Sequence, residues 1–358
     1  MRLALLLATV SSAIPSCAQF TMQTSNTTAD LRGIHNVGNG VAWASGTHGT
    51  VLRTEDGGYV WQSCAIPPGA EKLDFRGVQA FDANTAIVMS SGPGEQSRLY
   101  KTTDGCHSWK LLFTNPDKEG FWDAVATADR NNIMILGDPV NGRFSLFSST
   151  DAGANWEKSR DDGLRSDPDQ GSFAASNSSL LVDWVDGNAA FGTGGPTGPR
   201  LYRECDSCKR DAEWSQAELP SLQSGKAAGI FSLQYRDWKQ WIAVGGDYTK
   251  PDDRTGTAAF TLDRGDHWQP ATTPPHGYRS SVAYDASTKT WITVGPNGTD
   301  ISTDDGRNWR AIHPNPALHE SADADRNWNA LSLPYVVGPK GRIGRLDPAV
   351  LTRTGPLE

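Results

Sequence analysis

Hydrophobic positions along the chain gather in short runs of small and β-branched residues that end near glycine: GVAWASG, TAIVMSSG, NIMILGD, AAFGTGG, WIAVGGD, WITVGPNG and YVVGPKG. Each run fits a central strand buried on both faces, and its Gly-rich end predicts a turn. A shorter strand follows most of them, as in TVLRT, RLYKT, FSLFSS, AAFTL and TDISTD. Seven such units predict seven sheets arranged as repeats.

The short strand leads into a polar octapeptide: TEDGGYVW ending at Trp61, TTDGCHSW at Trp109, STDAGANW at Trp156, TLDRGDHW at Trp268 and STDDGRNW at Trp309. A degenerate copy, ECDSCKRDAEW, ends at Trp214. The aspartates Asp56, Asp104, Asp151, Asp206, Asp263 and Asp304 recur at intervals of about 40 to 57 residues, the length of a four-stranded propeller blade. The spacing reads as a hairpin tip. Ser or Thr and Asp accept hydrogen bonds from nearby backbone N–H groups, the residue two after Asp takes a positive φ, and Trp drops back into the blade. Trp156, for example, is expected to bury its ring between neighbouring sheets. A carboxylate repeated in every blade holds turns; an active site needs one copy.

The seventh unit, Trp328 to Leu346, stops before an outer strand, and Phe20 to Ala29 is the unassigned segment that can supply it. The expected fold is therefore all-β: a seven-bladed β-propeller of four-stranded antiparallel blades, closed by joining the N- and C-terminal strands so that no sheet edge is left open. It occupies residues 19–350, between a leader at 1–18 and a tail at 351–358.

The leader begins MRLALLLATVSSAIPSCAQF, with Arg2 as a minimal basic region, the apolar stretch Leu3 to Val10, and small residues Ser16 and Ala18 at the cleavage-determining positions. It reads as an export signal cleaved after Ala18, with lipidation of Cys17 as the alternative; no later run is long enough to span a bilayer. Export permits disulfides. Cys205 and Cys208 read as a local bridge, since one C-x-x-C supplies half a zinc site and no thioredoxin-like βαβ pattern surrounds it. Cys64 and Cys106 are a second candidate pair whose separation the sequence does not set.

Composition narrows function mainly by exclusion. The net charge of −8 argues against a nucleic-acid binder or a polybasic membrane-surface protein. The chain has no Gly-x-Ser-x-Gly elbow, no His-Glu-x-x-His and no phosphate-binding Gly-x-x-x-x-Gly-Lys-Ser/Thr, and no cofactor or metal is expected. Two insertions, Lys158 to Ser176 and Asp247 to Gly256, read as solvated connectors, with function on a rigid scaffold as the alternative.

The octapeptides resemble the Asp-box propeller superfamily, which includes sialidases, xyloglucan-type glycosidases and sortilin-like receptors. SGTHGTVLRTEDGGYVW and VGPNGTDISTDDGRNW most resemble repeats of the photosystem II stability/assembly factor family. That resemblance implies a single seven-bladed propeller that binds a protein partner, such as a membrane protein, without catalysis and as a monomer. Glycan binding or sialidase-like glycoside hydrolysis is the alternative, although neither Arg-Ile-Pro nor Arg-Leu-Pro occurs in the chain. Candidate binding residues come from clusters at the start of each innermost strand: Arg32, Arg76, Trp122, Arg279 and Trp328. Arginines with aromatic neighbours around a channel mouth suit a carboxylate or a protein segment. Alternatively, the arginines pair with channel aspartates such as Asp123 and hold blades together.

Overall fold

The computed structural model describes residues 19–182, 189–204 and 214–351. Seven antiparallel sheets follow one another along the chain. Blade 1 runs Leu31–Gly38, Val41–Gly46, Val51–Thr54 and Gln62–Ser63, from the channel outwards; blade 2 runs Phe75–Ala80, Ala86–Ser90, Arg98–Thr102 and Lys110–Thr114. Blades 3 to 6 begin with innermost strands Trp122–Thr127, Leu180–Val182, Gly225–Tyr235 and Ser281–Asp285. Blade 7 contains Ala330–Ser332, Tyr335–Val337 and Ile343–Leu346, and its outermost strand is Phe20–Gln23, paired antiparallel with Ile343–Leu346. The termini therefore close the ring in one blade. The leader and residues 205–213, with Cys205, Cys208 and most of the degenerate octapeptide, lie outside the described residues, whereas its Trp214 is described and buried.

Apolar burial explains why the ring holds. Seven hydrophobic clusters each join two adjacent blades. Trp43 and Val51 of blade 1 meet Phe75, Val78 and Val88 of blade 2, and Leu31 and Leu52 meet Val337 and Ile343 of blade 7 across the closure. A sheet buried on both faces by its neighbours needs no alternation of polar and apolar positions, which is why the central strands read as continuous apolar runs. A disulfide between Cys64 and Cys106 also ties the end of blade 1 to the octapeptide of blade 2.

The recurring glycine at the end of the second strand has a steric cause. A Cβ at Gly46, Gly137, Gly245, Gly295 or Gly338 would collide with the carbonyl oxygen of Asp30, Phe121, Gly229, Tyr278 or Asn327, respectively, where the incoming innermost strand crosses it. This contact also aligns the blades, because the residue after each carbonyl occupies the same place in each blade.

The five described octapeptides form the same turn. In the third, the Ser149 hydroxyl donates to Asp151 Oδ1 at 2.9 Å, Gly153 N–H donates back to Ser149 Oγ at 2.9 Å, and Asn155 N–H donates to Asp151 Oδ1 at 2.9 Å. Thr54 with Asp56, Thr102 with Asp104, Thr261 with Asp263 and Ser302 with Asp304 repeat the arrangement. Left-handed backbone falls on two consecutive residues after Asp, including Ala152, Arg264 and Asp305, rather than on the second alone. Trp61, Trp109 and Trp309 are buried as expected. Trp156 and Trp268 are only half-buried. Trp156 stacks on Phe113 of blade 2 with ring centroids 4.8 Å apart, so its ring does lie between neighbouring sheets, half-buried rather than fully buried there.

Candidate channel-mouth site

In a four-stranded antiparallel blade, the first-to-second and third-to-fourth hairpins share one end, and the remaining connections share the other. The octapeptides therefore sit on one face. They dock there on the neighbouring hairpins: Gly105 N–H donates to Asn84 O, Ala152 N–H to Asn131 O and Arg264 N–H to Lys239 O, at 3.0, 2.9 and 2.9 Å. Each innermost strand starts on the opposite face, where the channel opens.

At that opening, four innermost strands carry a β-bulge, between Leu31 and Gly33, Phe75 and Gly77, Trp122 and Ala124, and Ile230 and Ser232. A bulge turns the extra residue away from the ladder, and its side chain here points into the channel. The bulged residues are Arg32, Arg76, Asp123 and Phe231. Ser280 and Asn329 occupy the matching place in blades 6 and 7, and all six line one cavity of about 530 Å³.

This register corrects the sequence expectation for three of the five candidates. Trp122, Arg279 and Trp328 are equivalent to Leu31 and Phe75, not to Arg32 and Arg76, and all are fully buried. Trp122 packs on Phe113 and Phe147. Trp328 packs on Phe20, donates from Nε1 to Ala324 O at 3.2 Å, and touches the cavity only from within the wall. Arg279 is enclosed by Asp300, Asn297 and the Tyr278 carbonyl, and its guanidinium joins the loops of blade 6. One residue of slip in an extended chain reverses the face to which a side chain points, and each bulge introduces such a slip.

Arg32 and Arg76 do converge. They flank Asp74 at 3.8 and 2.9 Å, with side chains 29% and 27% exposed, so their cationic edges remain open to the cavity. Their carboxylate partner is Asp74, not Asp123.

The insertion Lys158 to Ser176, expected to be a solvated connector, instead turns into the channel with the residues that follow it. Arg76 donates to Ala174 O at 3.1 Å, Ser176 Oγ donates to Ser280 O at 2.7 Å, and Asn177 exchanges hydrogen bonds with both backbone groups of Val125. Small side chains let this strap enter, and partners from three other blades satisfy its polar groups. Phe173 stacks on Phe231 at 3.9 Å, and Tyr278 meets Phe231 edge-on at 4.7 Å. With Phe121 and Tyr248, these rings form the cavity's aromatic wall. Tyr248 belongs to the second insertion and is 53% exposed.

Two carboxyl groups complete the site. Asp123 is 1% exposed, and burial, reinforced by the negative charge of Asp138, pushes its pKa well above the usual range against the pull of Arg76. Asp138 lies at a bulge in the next strand, and burial raises it to about 6 although the Ser172 N–H donates to its carboxylate. Asp138, Ser172, Phe173 and Lys226 are shared with an adjoining basin of about 710 Å³ that also contains Glu119, Asp167 and Asp169. Among the described residues, no group of three or more His, Cys, Asp or Glu side chains is arranged to hold a metal ion.

No family model and no curated protein matches the chain. Solved structures do resemble it. YCF48 bound to D1 peptide aligns with a TM-score of 0.65 at 15% identity, over 93% of this chain and 98% of that one. YCF48 from Cyanidioschyzon merolae aligns with a TM-score of 0.64 at 18% identity, over 93% and 100%. An ancestral GH74 enzyme aligns less closely, with a TM-score of 0.54 at 15% identity over 82% of this chain and 40% of that one. At these identities the likeness is one of fold.

Proposed function

We propose that the protein is a non-catalytic, exported binding propeller that takes an extended segment of a protein partner, such as a membrane protein, at its channel mouth. The observation that carries this reading is the cavity of about 530 Å³ in which the open edges of Arg32 and Arg76 face an aromatic wall. Guanidinium groups bind carboxylates and peptide carbonyls in fixed geometry, and aromatic rings give contact area at small entropic cost. The likeness to a YCF48 structure containing a D1 peptide supports a peptide-sized occupant. The leader at 1–18 supports export.

The test is affinity capture from solubilised envelope membranes, comparing the mature chain with Arg32→Glu/Arg76→Glu. A specific protein should be retained by the wild type and lost with the variant. Equal capture by both would move the site elsewhere. Glycoside hydrolysis is the second reading, favoured by the paired carboxyls Asp123 and Asp138, since glycosidases use two carboxyl groups. Turnover of any glycan substrate, abolished by Asp138→Asn, would establish it in place of the binding reading.

A further inference from the structure

Arg32 Nε and Asp74 Oδ1 at the mouth lack hydrogen bonds, but they face each other as a partly exposed ion pair, whereas Asp123 is buried. Its residue is 1% exposed, its Oδ2 has no hydrogen-bond partner among the described residues, and it lines the cavity. Buried carboxylate oxygens are ordinarily paired, because leaving one bare costs much of its hydration. Arg76 does not fill this place: it is committed to Asp74 and to Ala174 O. Lys226 reaches both cavities but makes no ion pair with a described residue. The residue that carries the unpartnered oxygen therefore lines a space large enough for a guest.

The geometry points to Asp123 and Asp138 as a receptor for a primary ammonium group, brought to the cavity as a lysine side chain of the bound segment. Three features select this guest. Two carboxyls from adjacent bulges meet the three N–H donors of an ammonium, whereas a hard divalent cation needs six or more oxygens. The wall of Phe121, Phe173, Phe231, Tyr248 and Tyr278 suits the alkyl stem and offers ring faces to the charge. The cation also relieves the repulsion between the two carboxyls, which adds to burial in raising the pKa of Asp123. The segment would then be read at two points, carboxylate or carbonyl at Arg32 and Arg76, and ammonium at Asp123 and Asp138. This inference rests on the reading of the mouth as a site for a protein segment.

Ammonium binding favours the ionised carboxyls, so it must release protons and strengthen as pH rises through their titration. The charged and titratable groups facing the pair are Arg32 and Arg76 from blades 1 and 2, Lys226 from blade 5, Tyr248 and Tyr278, and Glu119, Asp167 and Asp169 along the basin. Of these, the acidic residues of the basin share the direction of the effect, and the variants below separate them from the pair.

The experiment is calorimetric titration with a capped alanine pentapeptide carrying a central lysine, with its Nε-acetylated counterpart, and with 1,5-diaminopentane as a free amine. The lysine peptide should bind at least about tenfold more tightly near pH 8 than near pH 5, with proton release measured in two buffers of different ionisation heat. Acetylation, Asp123→Asn or Asp138→Asn should each reduce affinity at least about tenfold. Asp138 is the more exposed of the pair, so its variant carries the test if Asp123→Asn melts early. Binding by the diamine with the same dependence on Asp123 would support the receptor and assign a free amine as its guest. Equal binding of the acetylated peptide, no pH dependence, or no binding of either amine would overturn the proposal. If both amines fail while Arg32→Glu/Arg76→Glu still abolishes protein capture, the ammonium receptor falls and the segment-binding reading stands; if capture is insensitive to those arginines, that reading falls on its own.

Discussion

On the octapeptide face, Asp104 is held down to about 2 by the Ser108 hydroxyl and N–H and by Thr102, and Asp151 is held down to about 2 by the Asn155 side chain and N–H and by Ser149. At the channel mouth, burial instead pushes Asp138 up to about 6 and lifts Asp123 well above the usual carboxylate range. The same residue type thus has opposite chemistry at the two ends of the ring. The exposed carboxylates are saturated with local donors and repeat from blade to blade, which fits turn-holding groups. Asp123 and Asp138 of the mouth occur in blade 3, sit on bulges and have few donors, as expected where a side chain is kept for a guest. Repetition in a propeller marks scaffold, and departure from the repeat marks the place to look for function.

The contrast can be broken first on the scaffold side. Trp61→Ala removes a ring that is 2% exposed, meets Tyr335 edge-on at 5.8 Å and donates to Gln23 at the ring closure. It should cost about 3 to 5 kcal/mol in denaturant unfolding while leaving lysine-peptide binding unchanged. Trp156→Ala, which removes a half-buried ring, should cost about 2 kcal/mol. Equal losses would mean that the octapeptide tryptophans are interchangeable and that the half-buried position of Trp156 is not maintained in solution.

A smaller effect sharpens the mouth side, where scaffold and site lie one residue apart. Arg279→Met leaves Asp300 buried without its guanidinium partner and should destabilise by about 3 kcal/mol. Arg76→Met, at a partly exposed pair, should change stability by less than about 1 kcal/mol but weaken partner capture. If Arg279→Met folds normally and loses capture, Arg279 belongs to the binding surface, and the register drawn from the bulges is wrong.

That register was the part the sequence did not disclose. Seven apolar runs, five octapeptides and an unfinished last unit were enough to read the blades and the closure by Phe20–Gln23, because each depends on local pattern. The start of the innermost strand does not. Arg32, Arg76 and Arg279 look alike in sequence, and only the crossing of a carbonyl over Gly46 or Gly295 shows that Arg279 matches Leu31. A partial signal was present in spacing: Arg32 stands 14 residues before Gly46, whereas Arg279 stands 16 before Gly295. The strap through Ala174 to Asn177 had no such signal, since its polar and small residues equally suit a solvated loop until partners from other blades come into view. Cys64 with Cys106, the pair whose separation was open, is joined because Cys106 sits in the octapeptide turn that docks against the end of blade 1.

The smallest expected effect tests whether the scaffold face is tuned for stability alone. Immediately after Asp, the first two octapeptides place Gly57 and Gly105 at φ of 80° and 69°, whereas the third places Ala152 at 63°. A Cβ in the left-handed region costs about 1 kcal/mol or more, and glycine avoids it at the expense of greater freedom in the unfolded chain. Ala152→Gly should therefore stabilise by about 0.5 kcal/mol, visible as a rise of about 1 °C in thermal unfolding. Ala152 lies far from the mouth, so peptide binding should be unchanged. A loss of stability would show that the Ala152 methyl makes contacts that outweigh its backbone cost, and that this turn has been fitted individually rather than copied from its neighbours.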